Sequence, residues 1–524
     1  MSLSNLIGMK SRQLGSPGTR GTGVQKRIPA PVGGWNTRDS LATMKEKYAT
    51  KLDNFFPEAG AVTMRRGCQQ HASLGDALAG AEVNSLFSHE GSSRNLMAVA
   101  DNKLWDVTGS TPRQIKGSLN SEFWKTTNLN GNTIACSNGS DDPMRIMPDG
   151  TLANTHGWAK ETGVSGSLDV SRLLSPFSFK GRILFIERDS ANLWYGNVGA
   201  IQGDLYRYNL GSFHGAGGNI VNIGSLTIDA GSGIDDLLCV FFDNGSALVY
   251  QGTDIADPLK FALVGTWNLG RLVGDRSLVK VGGDLVGLTT DGYVSMLTLL
   301  TKGRVAERMA SLSDAISSTV TEVTSVYSNL NTWDCILYTP ASWLLFNLPD
   351  GSQHVMNTQT KAWCRFNGWN ANCFAVHENN LFFGTTGKVC QANIGGEDDG
   401  KEIRADCQTA YNYLGSAYDK RFTLARPIVS SDGSVNGLTV ATSSDFTEEP
   451  VDFISADIQV QGAKWNEAKW NEAKWSGGVV VDDKWQMLQS DGSALSIRVL
   501  VSTRNARVSF YSAHIIYEPT TGIL

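Results

Sequence analysis

A lysine followed by a tryptophan recurs every five residues in the stretch AKWNEAKWNEAKW, which spans residues 463–475. The rings of the repeat are Trp465, Trp470 and Trp475, and Trp485 follows ten residues later. Aromatic rings beside positive charges can stack on sugars or on the bases of single-stranded nucleic acid. The same rings can instead anchor a surface segment to a β-domain or to a partner subunit. An unstructured low-complexity stretch is the third alternative.

The five-residue spacing favours anchors over a stacking platform. On an α-helix, five residues turn the chain by about 500°, so successive rings point around the whole cylinder. On a strand, an odd spacing puts neighbouring rings on opposite faces. Neither element gathers three rings on one face, so the repeat predicts short segments separated by bends. We expect Trp465, Trp470, Trp475 and Trp485 to be structural or interface anchors.

Motifs for catalysis and for metal binding are absent from the sequence. The seven histidines include no pair at metal-ligand spacing, and the eight cysteines form no C-x-x-C pair. Nucleophile-elbow, zinc-protease, P-loop and EF-hand patterns are also missing. A pair of glycosidase carboxylates stays open, because its members can lie far apart in sequence. The sequence therefore nominates no catalytic, cofactor-binding or metal-binding residue, predicts a protein that is not an enzyme, and predicts buried free cysteines.

Charge is distributed unevenly along the chain. The first 38 residues carry six basic groups and no acidic one, whereas the remainder is acidic, and the net charge of the chain is −6. An acidic body argues against general DNA binding through surface charge. Residues 1–30 are predicted to form a flexible arm, which is either a disordered end or a segment that orders on a partner. The candidate partner-binding residues of the arm are Lys10, Arg12, Arg20, Lys26 and Arg27.

Short apolar strands broken by Gly, Asn and Asp dominate the chain. Hairpins such as LMAVADNKLWDVTG and NLFFGTTGKVCQAN recur about every 35 to 60 residues between residues 80 and 395. Repeats of this length predict an all-β fold, with a β-propeller of six or seven blades over residues 31–400. Trp363 and Trp369 are expected to pack between blades. A sandwich built from the same hairpins is the alternative.

Two segments predict short helices. One follows a capping-box pattern from Thr43 to Glu46, and the other is a helical insertion near residues 311–325. After GGEDDGKEIRADC, alternating strands such as LSIRVLVST predict an antiparallel β-sandwich over 401–524 that carries the Trp repeat. No apolar run approaches the ~20 residues of a membrane helix, and the first residues lack the apolar core of a signal peptide.

Two stretches resemble one family of viral proteins. Residues 31–67, which read PVGGWNTRDSLATMKEKYATKLDNFFPEAGAVTMRRG, resemble the leading segment of tail proteins of short-tailed bacteriophages. The shared features are the G-G-x-N-x-R-D start, the L-D-N-F-F-P core and the closing R-x-G. Residues 402–475 are similar to the segment that opens the C-terminal domain of those proteins, where W-D-x-A-x-W-D repeats occur. In this chain Asn replaces the usual Asp and Lys precedes each Trp.

The family implied is the tail hub or nozzle, also called the packaged-DNA stabilisation protein. The resemblance implies a structural protein of the virion tail, assembled in the bacterial host cytoplasm as a homohexameric ring below the portal and the head-to-tail adaptor. Such a ring extends and closes the DNA channel until ejection, passes double-stranded DNA without sequence-specific binding, and docks tail fibres or spikes. The alternative is a tail-borne propeller that binds or degrades polysaccharide, although the hairpin turns lack the sialidase aspartate box. A scaffold propeller inside cells is a third hypothesis.

Overall fold

The computed structural model describes residues 23–212, 217–229, 234–257, 259–302, 311–432, 437–447, 480–482, 484–504 and 506–520. Strands account for most of these residues, so the predicted all-β class is confirmed. The α-helices among the described residues are α1 (Met296–Lys302) and α2 (Ser317–Tyr327). Short 3-10 helices lie at Asp76–Leu78, Val170–Arg172, Leu210–Ser212, Asp314–Ile316 and Thr339–Ala341. No described helix has the length and apolarity that crossing a membrane requires.

Six strands of the described chain precede the hairpin repeats. They are β1 (Val24–Pro29), β2 (Gly34–Trp35), β3 (Tyr48–Asp53), β4 (Phe55–Pro57), β5 (Val62–Met64) and β6 (Cys68–Ser73). Two predictions are wrong here. Residues 24–29, predicted as part of a flexible arm, form a strand that pairs with Ser512–Tyr517. The helix predicted from Thr43 is absent: residues 48–53 form β3, whose Leu52 is fully buried, so strand pairing overrides the local capping signal.

The first three blades are antiparallel sheets built from consecutive strands. Blade 1 contains β7 (Val83–Glu90), β8 (Arg94–Ala100), β9 (Lys103–Asp106) and β10 (Arg113–Lys116). Blade 2 contains β11 (Trp124–Leu129), β12 (Asn132–Ser137) and β13 (Met144–Ile146). Blade 3 contains β14 (Trp158–Lys160), β15 (Leu173–Phe179), β16 (Arg182–Glu187), β17 (Asn192–Tyr195) and β18 (Gly203–Asn209), with β14 added in parallel to β18.

Four further sheets follow along the chain. Blade 4 contains β19 (Ile220–Asp229), β20 (Ile234–Phe242), β21 (Ser246–Gly252) and β22 (Phe261–Asn268). Blade 5 contains β23 (Leu278–Val281), β24 (Asp284–Thr289) and β25 (Gly292–Ser295), and blade 6 contains β26 (Asp334–Tyr338), β27 (Trp343–Asn347), β28 (Gln353–Asn357) and β29 (Trp363–Phe366). Blade 7 contains β30 (Cys373–His377), β31 (Asn380–Thr385) and β32 (Lys388–Ala392).

The seven sheets close into a ring. The innermost strand of each blade contacts the innermost strand of the next blade, in the order β7, β11, β15, β19, β23, β26 and β30. Strand β30 contacts β7 again, which closes the ring. The outer strand of blade 7 is β6, which pairs with β32 and comes from before the repeats. Closing the last blade with an N-terminal strand ties the two ends of the propeller together. The blade count is therefore seven.

Trp363 and Trp369 pack between blades, as predicted. The Trp363 ring lies 5.5 Å from that of Tyr293, which belongs to blade 5. The Trp369 ring stacks on that of Phe383 in blade 7 at 5.6 Å, and also contacts Trp343 of blade 6. Since a blade cannot bury both of its faces alone, these rings fill the space that stacking leaves between neighbours.

The remaining strands form two sheets of a sandwich. They are β33 (Glu397–Asp398), β34 (Lys401–Thr409), β35 (Lys420–Ser431), β36 (Gly437–Ser444), β37 (Val480–Asp482), β38 (Gln486–Gly492), β39 (Leu495–Thr503) and β40 (Val508–Pro519). One sheet has the order β3-β34-β39-β36, and in the other β35 pairs with β40, β37 and β38.

Strands from the leading segment belong to both sheets of the sandwich. Strand β3 pairs with β34 in one sheet, and β1 and β5 pair with β40 in the other. Strand β2 pairs with both β3 and β29, which joins the sandwich to blade 6. A single hydrophobic core includes Phe346 of blade 6, Leu52 and Phe55 of the leading segment, and Val499 and Phe510 of the sandwich. The leading segment therefore fastens the sandwich to the propeller.

Candidate functional site

Polar side chains meet around the axis of the propeller, where the innermost strands of the seven blades begin; these are β7, β11, β15, β19, β23, β26 and β30. Blades 1 to 7 contribute, in order, Ser85, Lys125, Ser175, Asn222, Ser277, Asp334 and Asn372. We call these residues, together with Asp275 and Arg276, the axial belt. A cavity of about 450 Å³ lies against it and is lined by the inner strands of six blades. The belt gathers four charged groups, Lys125, Asp275, Arg276 and Asp334, beside this cavity.

Lys125 links three consecutive blades. Its Nζ donates hydrogen bonds to Ser175 Oγ at 2.8 Å and to Asn222 Oδ1 at 3.1 Å. The amide nitrogen of Asn222 in turn donates to the main-chain oxygen of Asp275 at 3.1 Å and to Ser277 Oγ at 3.3 Å. Burial lowers the pKa of Lys125 to about 8, because no carboxylate contacts the ammonium closely enough to offset the lost hydration.

Arg276 links blade 5 to three other blades. One terminal nitrogen donates to Ser85 Oγ of blade 1 at 3.3 Å, and the other donates to the main-chain oxygen of Asn372 at 3.2 Å. The Nε atom lies 3.4 Å from Asp334 Oδ2, which accepts a hydrogen bond from the main-chain nitrogen of Phe374 at 3.0 Å. Burial raises the pKa of Asp334 above its ordinary value, although Arg276 acts in the opposite direction.

The belt connects all seven blades and balances its own charge. Lys125 and Arg276 are offset by Asp275 and Asp334, and Lys280, which also lines the cavity, lies 3.8 Å from Asp236. The volume of the cavity suits water or a small molecule, and a nucleic-acid duplex is far too wide for it. In the described parts of the chain, no group of three or more His, Cys, Asp or Glu could hold a metal ion.

A second polar cluster lies where the leading segment meets the propeller and the sandwich. The guanidinium of Arg65 donates to both carboxylate oxygens of Asp398, at 2.8 and 2.6 Å, and to the main-chain oxygen of Asn367 at 2.6 Å. Its Nε donates to Asn54 Oδ1 at 2.8 Å, and the group lies 4.7 Å from the centre of the Trp369 ring. The Arg65 side chain is fully buried. Its nitrogens donate hydrogen bonds in the plane of the guanidinium, and the face of the group packs on the Trp369 ring.

The neighbouring motif residues complete this cluster. Arg365 donates to both carboxylate oxygens of Asp53, at 2.8 and 2.7 Å. Asn54 donates to the main-chain oxygen of Arg404 at 2.8 Å, which connects the segment to β34 of the sandwich. A Cβ atom at Gly67 would lie 1.8 Å from the main-chain oxygen of Glu397, so only glycine fits there. We call Asp53, Asn54, Arg65, Gly67, Arg365 and Asp398 the Arg65 joint.

The residues predicted as anchors are only partly described. Trp465, Trp470 and Trp475 lie outside the described residues, as do Lys10, Arg12 and Arg20. Trp485 is 39% exposed, and its ring lies 5.8 Å from the guanidinium of Arg426. Lys26 and Arg27 are exposed on β1, beside β40. The anchor and partner-binding roles stay predictions. All eight cysteines are buried free thiols, as predicted.

Sequence reasoning missed the axial belt. Lys125, Asn222 and Asp334 each stand within the first three positions of an inner strand, where a polar residue is taken for part of the preceding turn. Aligning the blades on their first strands exposes the shared polar position. That alignment requires the blade boundaries, which the hairpin turns alone do not define.

Comparisons with known proteins identify no family for this chain. No family model matches it, and no curated protein does. The crystal structure of Raptor from Chaetomium thermophilum is similar to part of it, with a TM-score of 0.37 and 11% sequence identity. The similarity covers 62% of this chain and 30% of the Raptor chain. A likeness of this size carries no functional conclusion.

Proposed function

We propose that the protein is a structural component of the tail of a short-tailed bacteriophage, the hub or nozzle that forms a homohexameric ring below the portal and adaptor. The observation that supports this most is the Arg65 joint. The L-D-N core and the closing R-x-G, which carry the resemblance to that family, supply Asp53, Asn54, Arg65 and Gly67. The residues of these motifs therefore fasten the propeller to the sandwich. Such a structural role is a reason for members of a family to share them.

In this proposal the DNA channel lies at the centre of the ring of subunits. The propeller's own axis is not the channel, because the axial belt crosses it and leaves a cavity of only about 450 Å³. Each subunit would contribute a rigid wall, and the acidic body of the chain would let duplex DNA slide past without sequence-specific binding. Other faces of the ring would dock tail fibres or spikes.

The test is the oligomeric state of the full chain, alone and after co-expression with a head-to-tail adaptor. Sedimentation would give the mass of the particle, and class averages of electron micrographs would give its symmetry. We expect a six-fold ring in at least one of the two preparations. A stable monomer in both would overturn the proposal and favour a scaffold propeller.

The axial cavity favours one second candidate, a propeller that binds or degrades polysaccharide. Two carboxylates, Asp275 and Asp334, line that cavity, and burial shifts the pKa of Asp334 upward, the direction that favours a general acid. Incubation with host polysaccharide, followed by an assay for reducing ends, tests this reading. We expect no release of reducing ends from either the wild-type protein or the Asp334→Asn variant. Release by the wild-type protein that is lost in the variant would rank this candidate first.

A further inference from the structure

An acidic cleft of about 1030 Å³ opens at one end of the sandwich, where β35 begins and β40 ends. We call it the sandwich cleft. Its lining includes Tyr418, Asp419, Asp445, Asp491, Tyr517 and Thr520. Tyr418 is 81% exposed, so a large aromatic ring stands beside three carboxylates at a concave surface.

The cleft presents negative charge because three carboxylates, Asp419, Asp445 and Asp491, outnumber the one basic residue of its described lining, which is buried. Lys420 is 1% exposed, and its Nζ donates to the main-chain oxygens of Tyr418 at 2.8 Å and Ser493 at 2.9 Å. Although burial acts to raise it, hydrogen bonds from Ser493 and from the main-chain nitrogen of Ala494 lower the pKa of Asp445. That carboxylate therefore stays ionised, and Asp419 and Asp491 are exposed beside it.

The start of β1 lies close to this cleft. Val24 pairs with Tyr517 in an antiparallel register, so the described chain begins at Gly23 beside the end of β40 that leads to Pro519 and Thr520. Residues 1–22 contain three basic side chains and no acidic one. At about 3.3 Å per residue, the four residues from Val24 back to Arg20 can span about 13 Å, so Arg20 is close enough along the chain to reach the cleft.

Two other segments outside the described residues also start close to the cleft, and their charges fit it poorly. Residues 448–479 follow Thr447, close to Asp445, but carry six acidic and three basic side chains. Residues 521–524 follow Thr520 and carry no charged side chain. Charge complementarity therefore selects the N-terminal segment.

We propose that residues 1–22 bind in the sandwich cleft of their own chain, with Lys10, Arg12 and Arg20 facing Asp419 and Asp491. Attachment at Val24 keeps the segment at a high effective concentration, so even weak ion pairs hold it there. The contact is within one chain and differs from the partner contact that the sequence predicts for the arm. It does not depend on the proposed function.

Limited trypsin digestion of the full chain tests the contact. The test variant is Asp419→Asn with Asp491→Asn, and its matched control is Asp142→Asn with Asp204→Asn, two exposed carboxylates of the propeller. At low salt we expect cleavage after Lys10, Arg12 and Arg20 to be roughly fivefold faster in the test variant, with the control like wild type. In about 1 M salt the difference should vanish. Equal rates at low salt would overturn the proposal.

Carbodiimide cross-linking identifies the occupant. We expect Lys10, or the amino terminus, to link to Asp419 or Asp491 within one chain when labelled and unlabelled proteins are mixed. Links from Lys464, Lys469 or Lys474 to the cleft would assign it to the Trp repeat. Links found only between labelled and unlabelled chains would assign it to a second copy. Either of those results would overturn the proposal.

Discussion

The Arg65 joint and the axial belt both bury charge, but they do so with different completeness. In the joint, Arg65 and Arg365 each form two hydrogen bonds of 2.6 to 2.8 Å with one carboxylate. In the belt, Arg276 lies 3.4 Å from Asp334, and Lys125 is held by two neutral oxygens. The joint is closely packed against Trp369, whereas the belt borders an open cavity.

The difference suggests separate roles: the Arg65 joint holds the propeller and the sandwich together, and the axial belt fills the centre of the propeller. A buried ion pair with complete hydrogen bonding is very costly to break, because removal of one partner leaves a bare charge in the interior. A loosely bound network beside a cavity can reorganise or take up water, so single changes there cost less. We therefore expect the joint to govern stability and the belt to govern how stability depends on pH.

The largest effect is expected for Arg65→Met. It would leave the carboxylate of Asp398 buried without its partner, at a cost of about 3–5 kcal/mol in the free energy of unfolding. The matched control is Arg66→Met, since Arg66 is the exposed neighbour in the same sequence. Urea unfolding followed by Trp fluorescence measures both. A loss below about 1 kcal/mol in Arg65→Met would remove the distinction between joint and belt.

Gly67→Ala tests the joint without touching a charge. Its Cβ would meet the main-chain oxygen of Glu397, which has no side-chain freedom with which to move away. We expect a loss of about 1–3 kcal/mol, measured as a lower unfolding midpoint. Gly60→Ala is the control, because a Cβ there meets nothing within 4 Å. Similar midpoints for the two variants would contradict the geometry of the joint.

The sequence identified the motifs that supply the Arg65 joint, but it did not predict the contacts that these residues make. The R-x-G and L-D-N motifs were visible, but Asp398 lies more than 300 residues after Arg65, and no local pattern pairs them. Hairpin recurrence predicted the propeller and left six or seven blades open, because blade 7 borrows β6 from before the repeats. The capping box at Thr43 failed for a related reason: the pairing of β3 with β34 is a contact that only the fold creates.

The belt's expected signature is a pH dependence. The pKa of Lys125 is lowered to about 8 by burial, below its unfolded value of about 10.4. Below pH 8 the ammonium is buried at full cost, and between the two pKa values the unfolded chain binds more protons. Stability should therefore rise by on the order of 2 kcal/mol from pH 8 to 10, relative to Lys125→Met. Lys280→Met, which removes a half-exposed lysine of the same cavity, should keep the wild-type profile.

The smallest effect is expected for Trp485→Ala in the isolated protein. Its ring is 39% exposed and contacts Arg426 as a cation–π partner, which is worth about 0.5–1 kcal/mol. Trp369→Ala removes the buried ring that packs against Arg65 and should cost about 3–5 kcal/mol. If the rings of the repeat are buried anchors, Trp470→Ala should resemble Trp369→Ala. The melting temperatures of full-length Trp485→Ala, Trp369→Ala and Trp470→Ala would rank the three losses of stability.

An exposed ring can still anchor a partner. Measuring ring assembly as well as melting distinguishes a role of Trp485 in the stability of the subunit from a role in the interface between subunits. A tryptophan that fills a pocket on a neighbouring subunit contributes little to the monomer and much to the interface. We therefore expect Trp485→Ala to melt within a few degrees of wild type while the fraction of protein sedimenting as a ring falls. Unchanged assembly, together with Trp fluorescence that responds to single-stranded DNA or to a glycan, would instead mean that the rings following Gly462 form a stacking surface, and that the five-residue repeat binds a ligand.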